Sequence, residues 1–330
     1  MNNENFNTPI LLIVWRRPEK TLRVIEKIKQ INAKILYVAC DGYKEKDFHT
    51  INKVEETRKI INDSINWDCK IKKLFSDHNQ GCKNGVSNAI NWFFQNEREG
   101  IILEDDCLPH LDFFYFCEKM LKKYRTDERI WSITGQNIQN GIWHGDSSYY
   151  FSKYSHCWGW ASWKRCWENY DKNIKSWPNY KKLDLLSNFF EKKRAQKYWV
   201  KIFDNIYYNN SPDTWDYQWT YACLINSGLT VIPNKNLVEN IGFDIEATHT
   251  KTEVFNTKIL NFSRHTSGIF PIKHPKNVYQ FKKADEFTEK ICYSGYPFYT
   301  IKGLRRLIQK IFYKFSILKI LFKINLKNTF

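Results

Sequence analysis

Short apolar segments alternate with amphipathic ones through the first 130 residues, and this alternation restricts the possible folds more than any other feature. The predicted strands are the segments 10–14, 35–39, 71–75 and 100–106. The predicted helices follow Pro18 and occupy 82–97 and 111–125, where apolar residues recur at helical spacing. Alternating strands and helices are typical of a doubly wound, mostly parallel sheet, so we predict a Rossmann-like α/β fold.

Polar side chains come directly after three of the predicted strands. They are Arg16 and Arg17 after the first strand, Asp41 after the second, and Glu104, Asp105 and Asp106 at the end of the fourth. Open α/β sheets bind ligands outside the carboxyl ends of their strands. We therefore expect these side chains to meet at one site.

The three consecutive acids need a compensating partner, because like charges this close together repel each other. Solvent and a bound cation are the two candidates, and a solvated strand end is the simpler one. Mg²⁺ and Mn²⁺ prefer oxygen ligands, and Mg²⁺ commonly combines one or two protein carboxylates with waters and substrate phosphates. The position of the acids after an apolar strand, beside the other polar strand ends, favours a cation site.

Further segments are informative in combination, namely "PILLIVWRRP", "YVACDG", "ILEDDCLP" followed by "DFFYF", "YSHCWGWASW" and "TWDYQW". Together they resemble the GT-A glycosyltransferases, and in particular the eukaryotic N-acetylglucosaminyltransferase I family. Up to about residue 250 the chain also resembles a bacterial group of nucleotide-diphospho-sugar transferases, with "NLVENIGF" and "ATHT" as further shared segments. The resemblance implies the GT-A form of the Rossmann-like fold and transfer of a sugar from a nucleotide.

The resemblance also implies roles for the residues at the strand ends. These roles are Asp106 as the direct metal ligand, Asp105 and Glu104 as contacts to the donor sugar and ribose, Asp41 as a hydrogen-bond partner of the base, and Arg16 or Arg17 as a contact to the nucleotide. The metal would be Mn²⁺ or Mg²⁺. A UDP-sugar is the favoured donor.

Asp216 in "TWDYQW" would be the general base of an inverting transfer, again by resemblance. The family has two adjacent aspartates at this point, whereas Tyr217 follows Asp216 here, so that one carboxylate alone would serve. Aromatic neighbours would strengthen this carboxylate as a base, because an apolar environment favours its protonated form. The alternative is an aspartate that stabilises a helix N-terminus.

Two further groups are candidates for the site. His249 in "ATHT" would reach the metal or the diphosphate, as a late histidine does in some GT-A sequences, with a structural role as the alternative. Trp158, Gly159 and Trp160 would form an acceptor platform, since sugar rings lie flat on indoles, with core packing as the alternative for each tryptophan. The glycine between them indicates a close approach of the backbone.

Cysteine usage, hydropathy and charge predict a cytoplasmic location. The nine Cys are an odd number without a Cys-x-x-Cys spacing, which disfavours a disulfide framework and a zinc site. The sequence shows no secretory signal and no apolar run that would cross a membrane. The net charge is +16, but residues 301–330 contain eight Lys or Arg and no acid, so half of the charge is local and no nucleic-acid partner is expected.

Together these features predict an inverting, metal-dependent glycosyltransferase of bacterial surface polysaccharide synthesis. Residues 1–130 would bind the nucleotide sugar and residues 131–300 the glycan or lipid-linked acceptor, within one GT-A domain. A nucleotidyltransferase on a similar fold is the first alternative, although "VWRRPEK" lacks the Gly-rich loop common in that class. A non-catalytic carbohydrate-binding module is the second alternative, and it would not need the three acids.

The tail, residues 301–330, is predicted to form a basic amphipathic helix that holds the enzyme on the inner face of the cytoplasmic membrane. Ile301, Leu304 and Ile308 share its apolar face, as in interfacial helices, and a helix that packs on the domain is the alternative. Each basic residue near an anionic membrane surface contributes about 1 kcal/mol to binding.

Truncation after Thr300 should therefore abolish co-sedimentation with anionic vesicles. Unfolding of the truncated protein, or binding that ignores lipid charge, would contradict this prediction.

Overall fold

The computed structural model of the chain describes residues 6–44, 47–242 and 268–293. Its strands are β1 (Ile10–Val14), β2 (Ile35–Cys40), β3 (Lys70–Phe75), β4 (Glu99–Glu104), β5 (Cys107–Pro109), β6 (Ile130–Thr134), β7 (Tyr149–Ser152), β8 (Trp160–Trp163), β9 (Leu229–Pro233) and β10 (Val238–Asn240). Its helices are α1 (Pro18–Gln30), α2 (Phe48–Ser64), α3 (Gly81–Asn96), α4 (Leu111–Tyr124), α5 (Lys164–Trp167), α6 (Trp177–Lys182), α7 (Leu186–Phe189), α8 (Lys193–Asn209), α9 (Asp216–Ile225) and α10 (Lys282–Thr288). A π-helical turn, Glu289–Tyr293, follows α10.

Eight of the described strands form one sheet in the order β3-β2-β1-β4-β8-β6-β9-β7. β1 pairs in parallel with β2 and β4, β2 with β3, and β6 with β9. β8 and β7 run antiparallel to their neighbours, so six of the eight strands share one direction. The predicted doubly wound, mostly parallel, Rossmann-like α/β fold is confirmed. β5 and β10 form a separate antiparallel ribbon.

Helices cover both faces of the sheet, which explains why all five residues of β1 are buried. Gly100 of β4 faces α3, because an added Cβ would lie 2.3 Å from the Phe93 ring. Leu103 lies three residues further along β4 and therefore on the other face. Phe113 of α4 lies on this face too, since the side chains of Leu103 and Phe113 are each 3.3 Å from the position that a Cβ on Gly159 would take. This coverage leaves the strand ends for ligands.

The second half of the chain extends the same sheet. β6, β7, β8 and β9 all come from residues 130–233, and β8 joins them to β4. The Trp-rich segment forms β8 and α5, whose indoles pack against α9. Trp160 stacks on Trp215 with ring centroids 5.5 Å apart, and Trp167 stacks on Tyr170 at 4.2 Å. Much of the high tryptophan content therefore builds this part of the core.

Residues 181–209 do not form one continuous helix. They divide into the end of α6, the short α7 and the long α8. Asp184, between α6 and α7, has a φ of +50°. Aspartate tolerates this left-handed conformation because its short polar side chain can hydrogen-bond locally, and the conformation ends the helix there.

The last described segment packs along β7 through buried polar contacts. Ser152 donates a hydrogen bond to Asp285. Lys153 Nζ lies 2.8 Å from Glu289 Oε1, and the two side chains are only 12% and 5% exposed. The π-helical turn is thereby held where Tyr293 stacks on Tyr154, with ring centroids 4.9 Å apart.

We predict that Glu289→Gln lowers the free energy of unfolding by about 3–5 kcal/mol, because it removes the charged partner of the buried Lys153 ammonium. The matched control is Glu191→Gln, whose partner Lys282 and own side chain are 72% and 78% exposed. An exposed pair of this kind contributes about 0–1 kcal/mol. Urea titrations compare the two variants, and equal losses would show that the buried pair does not stabilise the packing along β7.

Candidate active site

A cleft of about 640 Å³ opens at the carboxyl ends of β1, β2 and β4. The residues predicted for the site that line it are Arg17, Asp41, Glu104, Asp105, Asp106, Trp158 and Asp216. Ile13 of β1 stands opposite Glu104 of β4 in the parallel register, so the residues after these two strands emerge side by side. The structure therefore brings the polar strand ends together, as the sequence analysis expects.

Arg17 supplies a compensating charge for the acids. One of its guanidinium nitrogens, Nη1, lies 2.9 Å from Asp105 Oδ1 and 2.9 Å from Asp106 Oδ2. β4 ends at Glu104, and the turn that follows lets both aspartates face the same nitrogen. Burial opposes the charge of Arg17, but the two carboxylates outweigh it and raise the pKa of Arg17 above its ordinary value.

The backbone also fixes both aspartates. The N–H of Trp15 donates to Asp105 Oδ2 at 3.2 Å. The carbonyl of Asp106 accepts the N–H of Ile241 at 2.8 Å. Gly242 comes so close that an added Cβ would lie 2.4 Å from Asp106 Oδ2. A side chain at this position would collide with the acid, so the close approach requires glycine.

Glu104 experiences the excess negative charge of the cleft. Burial, followed by the charges of Asp106, Asp105 and Asp216, raises the pKa of its carboxyl to about 8, and Arg17 opposes this shift more weakly. The cleft thus stays electronegative with Arg17 in place. A bound cation or a proton would relieve the repulsion.

Asp41 ties the end of β2 to the start of α3. Its carboxylate accepts the N–H of Gln80 at 2.9 Å and the side-chain amide of Asn79 at 2.9 Å. An added Cβ on Gly85 would lie 3.2 Å from Asp41 Oδ2, so the helix passes close to the acid. Burial raises the pKa of Asp41, and the N–H groups of Gln80 and Gly42 oppose the shift. A contact of Asp41 with the base stays a prediction.

Sequence reasoning misses Asp213, which caps the N-terminus of α3. Its two carboxylate oxygens accept the N–H groups of Cys82 at 3.1 Å and of Lys83 at 3.0 Å. Gly81, with a φ of +78°, leaves room for the acid, since an added Cβ would lie 2.8 Å from Asp213 Oδ2. Lys83 Nζ also lies 2.6 Å from Asn210 Oδ1, just after α8. The loop before α9 is therefore fastened to α3.

Asp216 is the first residue of α9 and lines the cleft. The hydroxyl of Thr214 donates a hydrogen bond to Asp216 Oδ1. The charge of Asp216 contributes to the raised pKa of Glu104, so the two carboxylates act on the same space. The structure gives Asp216 both a helix N-terminus and access to the cleft, and its role as a base stays a prediction.

The three residues expected to form an acceptor platform have different environments. Trp158 lines the cleft. Gly159 has a φ of +62°, and an added Cβ would lie 2.7 Å from Val238 Cγ2, so a close backbone approach does occur here. Trp160 is 1% exposed within the tryptophan stack. The expectation for Trp160 is therefore corrected, because a ring buried in this way has no face left for a sugar.

Arg16 does not line the cleft, and its guanidinium lies 4.5 Å from the centroid of the Trp15 ring in a cation–π contact. His249 and the tail at 301–330 lie outside the described residues. Within the described part of the chain, no helix combines the length and the apolar character that a membrane span requires.

The acids fit a cation that a substrate helps to hold. Their donor atoms are carboxylate oxygens, the ligands that Mg²⁺ and Mn²⁺ prefer. Among residues 6–44, 47–242 and 268–293, no three His, Cys, Asp or Glu side chains are placed to hold a metal on their own. Arg17 occupies one oxygen of Asp105 and one of Asp106. A cation held by the acids would therefore take only part of its ligands from these residues, and substrate phosphates would complete its shell. That the acids bind a cation stays a prediction.

No protein-family model and no curated protein matches the sequence. Among solved structures, the chain is similar to a cytidylyltransferase from Leptospira borgpetersenii serovar Hardjo-bovis, with 13% identity and a TM-score of 0.32 over 51% of this chain and 64% of that one. It is also similar to an apo UDP-glucose pyrophosphorylase, with 8% identity and a TM-score of 0.33 over 68% and 90% of the two chains. A third similar structure is HddC from Yersinia pseudotuberculosis, with 10% identity and a TM-score of 0.31 over 49% of this chain and 80% of that one.

The match spans less than two thirds of the cytidylyltransferase's length. Similarity at these identities and TM-scores supports no conclusion about function. The fold is therefore assigned from the observed order and directions of the strands, and the candidate activity is inferred from the residues that line the cleft.

We predict that Glu104→Gln stabilises the protein more at pH 8.5 than at pH 5. With its pKa raised to about 8, folded Glu104 retains a proton that the unfolded chain loses above about pH 4.3. The contribution of Glu104 to stability therefore falls as the pH rises between these values, and glutamine removes this loss. Calorimetric Tm values test it, with the exposed Glu26→Gln as the control. An equal Tm difference at both pH values would contradict the prediction.

Proposed function

We propose that the chain is an inverting, divalent-cation-dependent glycosyltransferase that uses a nucleoside-diphosphate sugar, with a UDP-sugar favoured. The observation that carries the proposal is the grouping of the three acids, Arg17 and Asp216 around one cleft at the ends of parallel strands. Open α/β sheets bind their ligands at such strand ends. The transferred group would be a hexosyl or N-acetylhexosaminyl unit.

The strand ends carry groups that suit the donor. Arg17 presents a planar guanidinium of the kind that pairs with phosphate through two hydrogen bonds. Glu104 and Asp105 would accept hydrogen bonds from sugar and ribose hydroxyls, and Asp41 from the base. Asp106 would bind Mn²⁺ or Mg²⁺, with His249 as a further proposed ligand. When bound, the cation would stabilise the negative charge of the leaving diphosphate.

Asp216 is the proposed general base. The acceptor hydroxyl attacks the anomeric carbon, its proton passes to the Asp216 carboxylate, and the bond from the anomeric carbon to the diphosphate oxygen breaks. A single displacement of this kind inverts the anomeric configuration. The hydroxyl of Thr214 orients the carboxylate, and Trp158 is the proposed contact for the acceptor sugar.

The acceptor and the location are proposed from the sequence resemblance and from the composition of the tail. The acceptor would be a glycan or a lipid-linked saccharide of surface polysaccharide synthesis. A tail with eight basic residues and no acid would place the cleft near acceptors carried on an anionic bilayer.

Nucleotidyl transfer is the second candidate, because the same acids could hold a cation together with a nucleoside triphosphate. The connection from β1 to α1 is Trp15-Arg16-Arg17 and contains no glycine, whereas phosphate-cradling loops before a helix are commonly Gly-rich. The products separate the two reactions. Glycosyl transfer releases a nucleoside diphosphate, and nucleotidyl transfer from a triphosphate releases pyrophosphate.

We predict that Asp216→Asn keeps donor binding and lowers transfer by about 10²–10⁴-fold, because only the proton acceptor is lost. Phosphorus-31 NMR of the full-length protein with Mn²⁺ and a panel of nucleotide sugars would follow release of the nucleoside diphosphate. Carbohydrate NMR would determine the anomeric configuration of the product. A matched assay with nucleoside triphosphates and sugar 1-phosphates tests the second candidate.

Transfer by Asp216→Asn within a few fold of the native rate would remove Asp216 as the base. Retention of the anomeric configuration would exclude a single displacement. Pyrophosphate release without any diphosphate release would replace glycosyl transfer by nucleotidyl transfer.

A further inference from the structure

Arg17 holds two acids with one nitrogen from a fixed backbone position. Its Nη1 bridges Asp105 and Asp106 at 2.9 Å each. The backbone carbonyl of Arg17 accepts the N–H of Thr21 in the first turn of α1, and Pro18 is the first residue of that helix. The guanidinium can therefore change partners by side-chain rotation while the backbone stays in place.

The two aspartates, in contrast, are anchored independently of Arg17. Asp105 accepts the N–H of Trp15, and Asp106 is confined by Ile241 and Gly242. They would keep their positions if the guanidinium moved away. The carboxylate of Asp106, the proposed ligand of the cation, is one of the two that Arg17 binds, so Arg17 and the cation compete for it.

We propose that Arg17 is an exchanging counter-ion, which neutralises Asp105 and Asp106 in the free protein and moves to the donor diphosphate when cation and nucleotide bind together. This inference rests on the proposed function and goes beyond it, since it couples the binding of cation and nucleotide through one named side chain.

The coupling follows from where the displaced guanidinium can go. A cation bound at Asp106 without nucleotide would weaken one of the two ion pairs that compensate the charge of Arg17, whose side chain is 14% exposed, and weakening a buried ion pair is unfavourable. A diphosphate offers the guanidinium charged oxygens in place of the carboxylates. Coupling between two ligands is reciprocal and is commonly about 5–150-fold in affinity.

The test is an electron paramagnetic resonance titration of the full-length protein with Mn²⁺, alone and with UDP. A protein-free titration accounts for the Mn²⁺–UDP complex. In the native protein Mn²⁺ should bind weakly alone and at least about tenfold more tightly with UDP. Arg17→Met should bind Mn²⁺ alone about tenfold more tightly than the native protein and should show less enhancement by UDP. Direct contact of Mn²⁺ with phosphate is common to both proteins, so the difference between them reports Arg17.

Arg16→Met is the matched control, because it removes a neighbouring guanidinium that lies over the Trp15 ring, whereas the guanidinium bound to Asp105 and Asp106 is that of Arg17. It should leave the affinity for Mn²⁺ alone unchanged. Arg17→Lys keeps the charge without the planar fork, and should keep weak Mn²⁺ binding with reduced enhancement by UDP. It decides the question if circular dichroism shows that Arg17→Met does not fold.

The outcomes separate this inference from the proposed function. If UDP tightens Mn²⁺ binding equally in the native protein and in both Arg17 variants, and Mn²⁺ alone binds all three equally, Arg17 is not the counter-ion, and the proposed function stands. If neither UDP nor another nucleoside diphosphate changes Mn²⁺ binding in the native protein, the proposed function fails first, and the inference with it.

Discussion

The ion pairs of Arg17 with Asp105 and Asp106 join the ends of two neighbouring parallel strands at the mouth of the cleft. Without them, three consecutive carboxylates would face each other and Asp216 in a partly buried space. The geometry follows from the chain itself, since Pro18 starts α1 directly after Arg17 and β4 ends at Glu104. The residues that turn the backbone at these strand ends are thus the ones that set the charge of the site.

The N-terminus of α3 is a second point on which the cleft depends. Asp41, after β2, binds the N–H of Gln80 directly before this helix, and Asp213 binds the N–H groups of its first turn. Asp213 lies three residues before Asp216. The N-terminus of α3 therefore fixes both the side of the cleft proposed for the nucleotide and the loop that carries Asp216. These contacts connect the two halves of the chain.

Much of the parallel half of the fold can be predicted from the sequence, because strands buried on both faces are continuous apolar runs. β1 has the predicted bounds. The helix α2 is missed, since two of its four buried residues, Thr50 and Thr57, are polar and weaken the helical pattern. The site is predicted only in part. Carboxylates that follow strands can be recognised in the sequence. Their contacts cannot, because the partners of Arg17 and Asp213 lie 88 and 131 residues away along the chain. The tryptophans of β8 resemble a sugar-binding motif because they are concentrated in one short segment.

The proposed function requires that the acidic cleft binds a divalent cation together with a nucleotide sugar. A thermal-shift measurement of the full-length protein with UDP-, GDP-, dTDP- and CMP-sugars, each with and without Mn²⁺, would detect this binding. A ligand at a hundredfold excess over its Kd stabilises the folded state by about 2.7 kcal/mol. We expect a rise in Tm with one class of nucleotide sugar, with UDP-sugars favoured. The rise should require Mn²⁺ and should disappear in Asp106→Asn, whose ligand-free Tm should be unchanged or higher. No shift with any nucleotide sugar, or a shift that ignores both Mn²⁺ and Asp106, would contradict it.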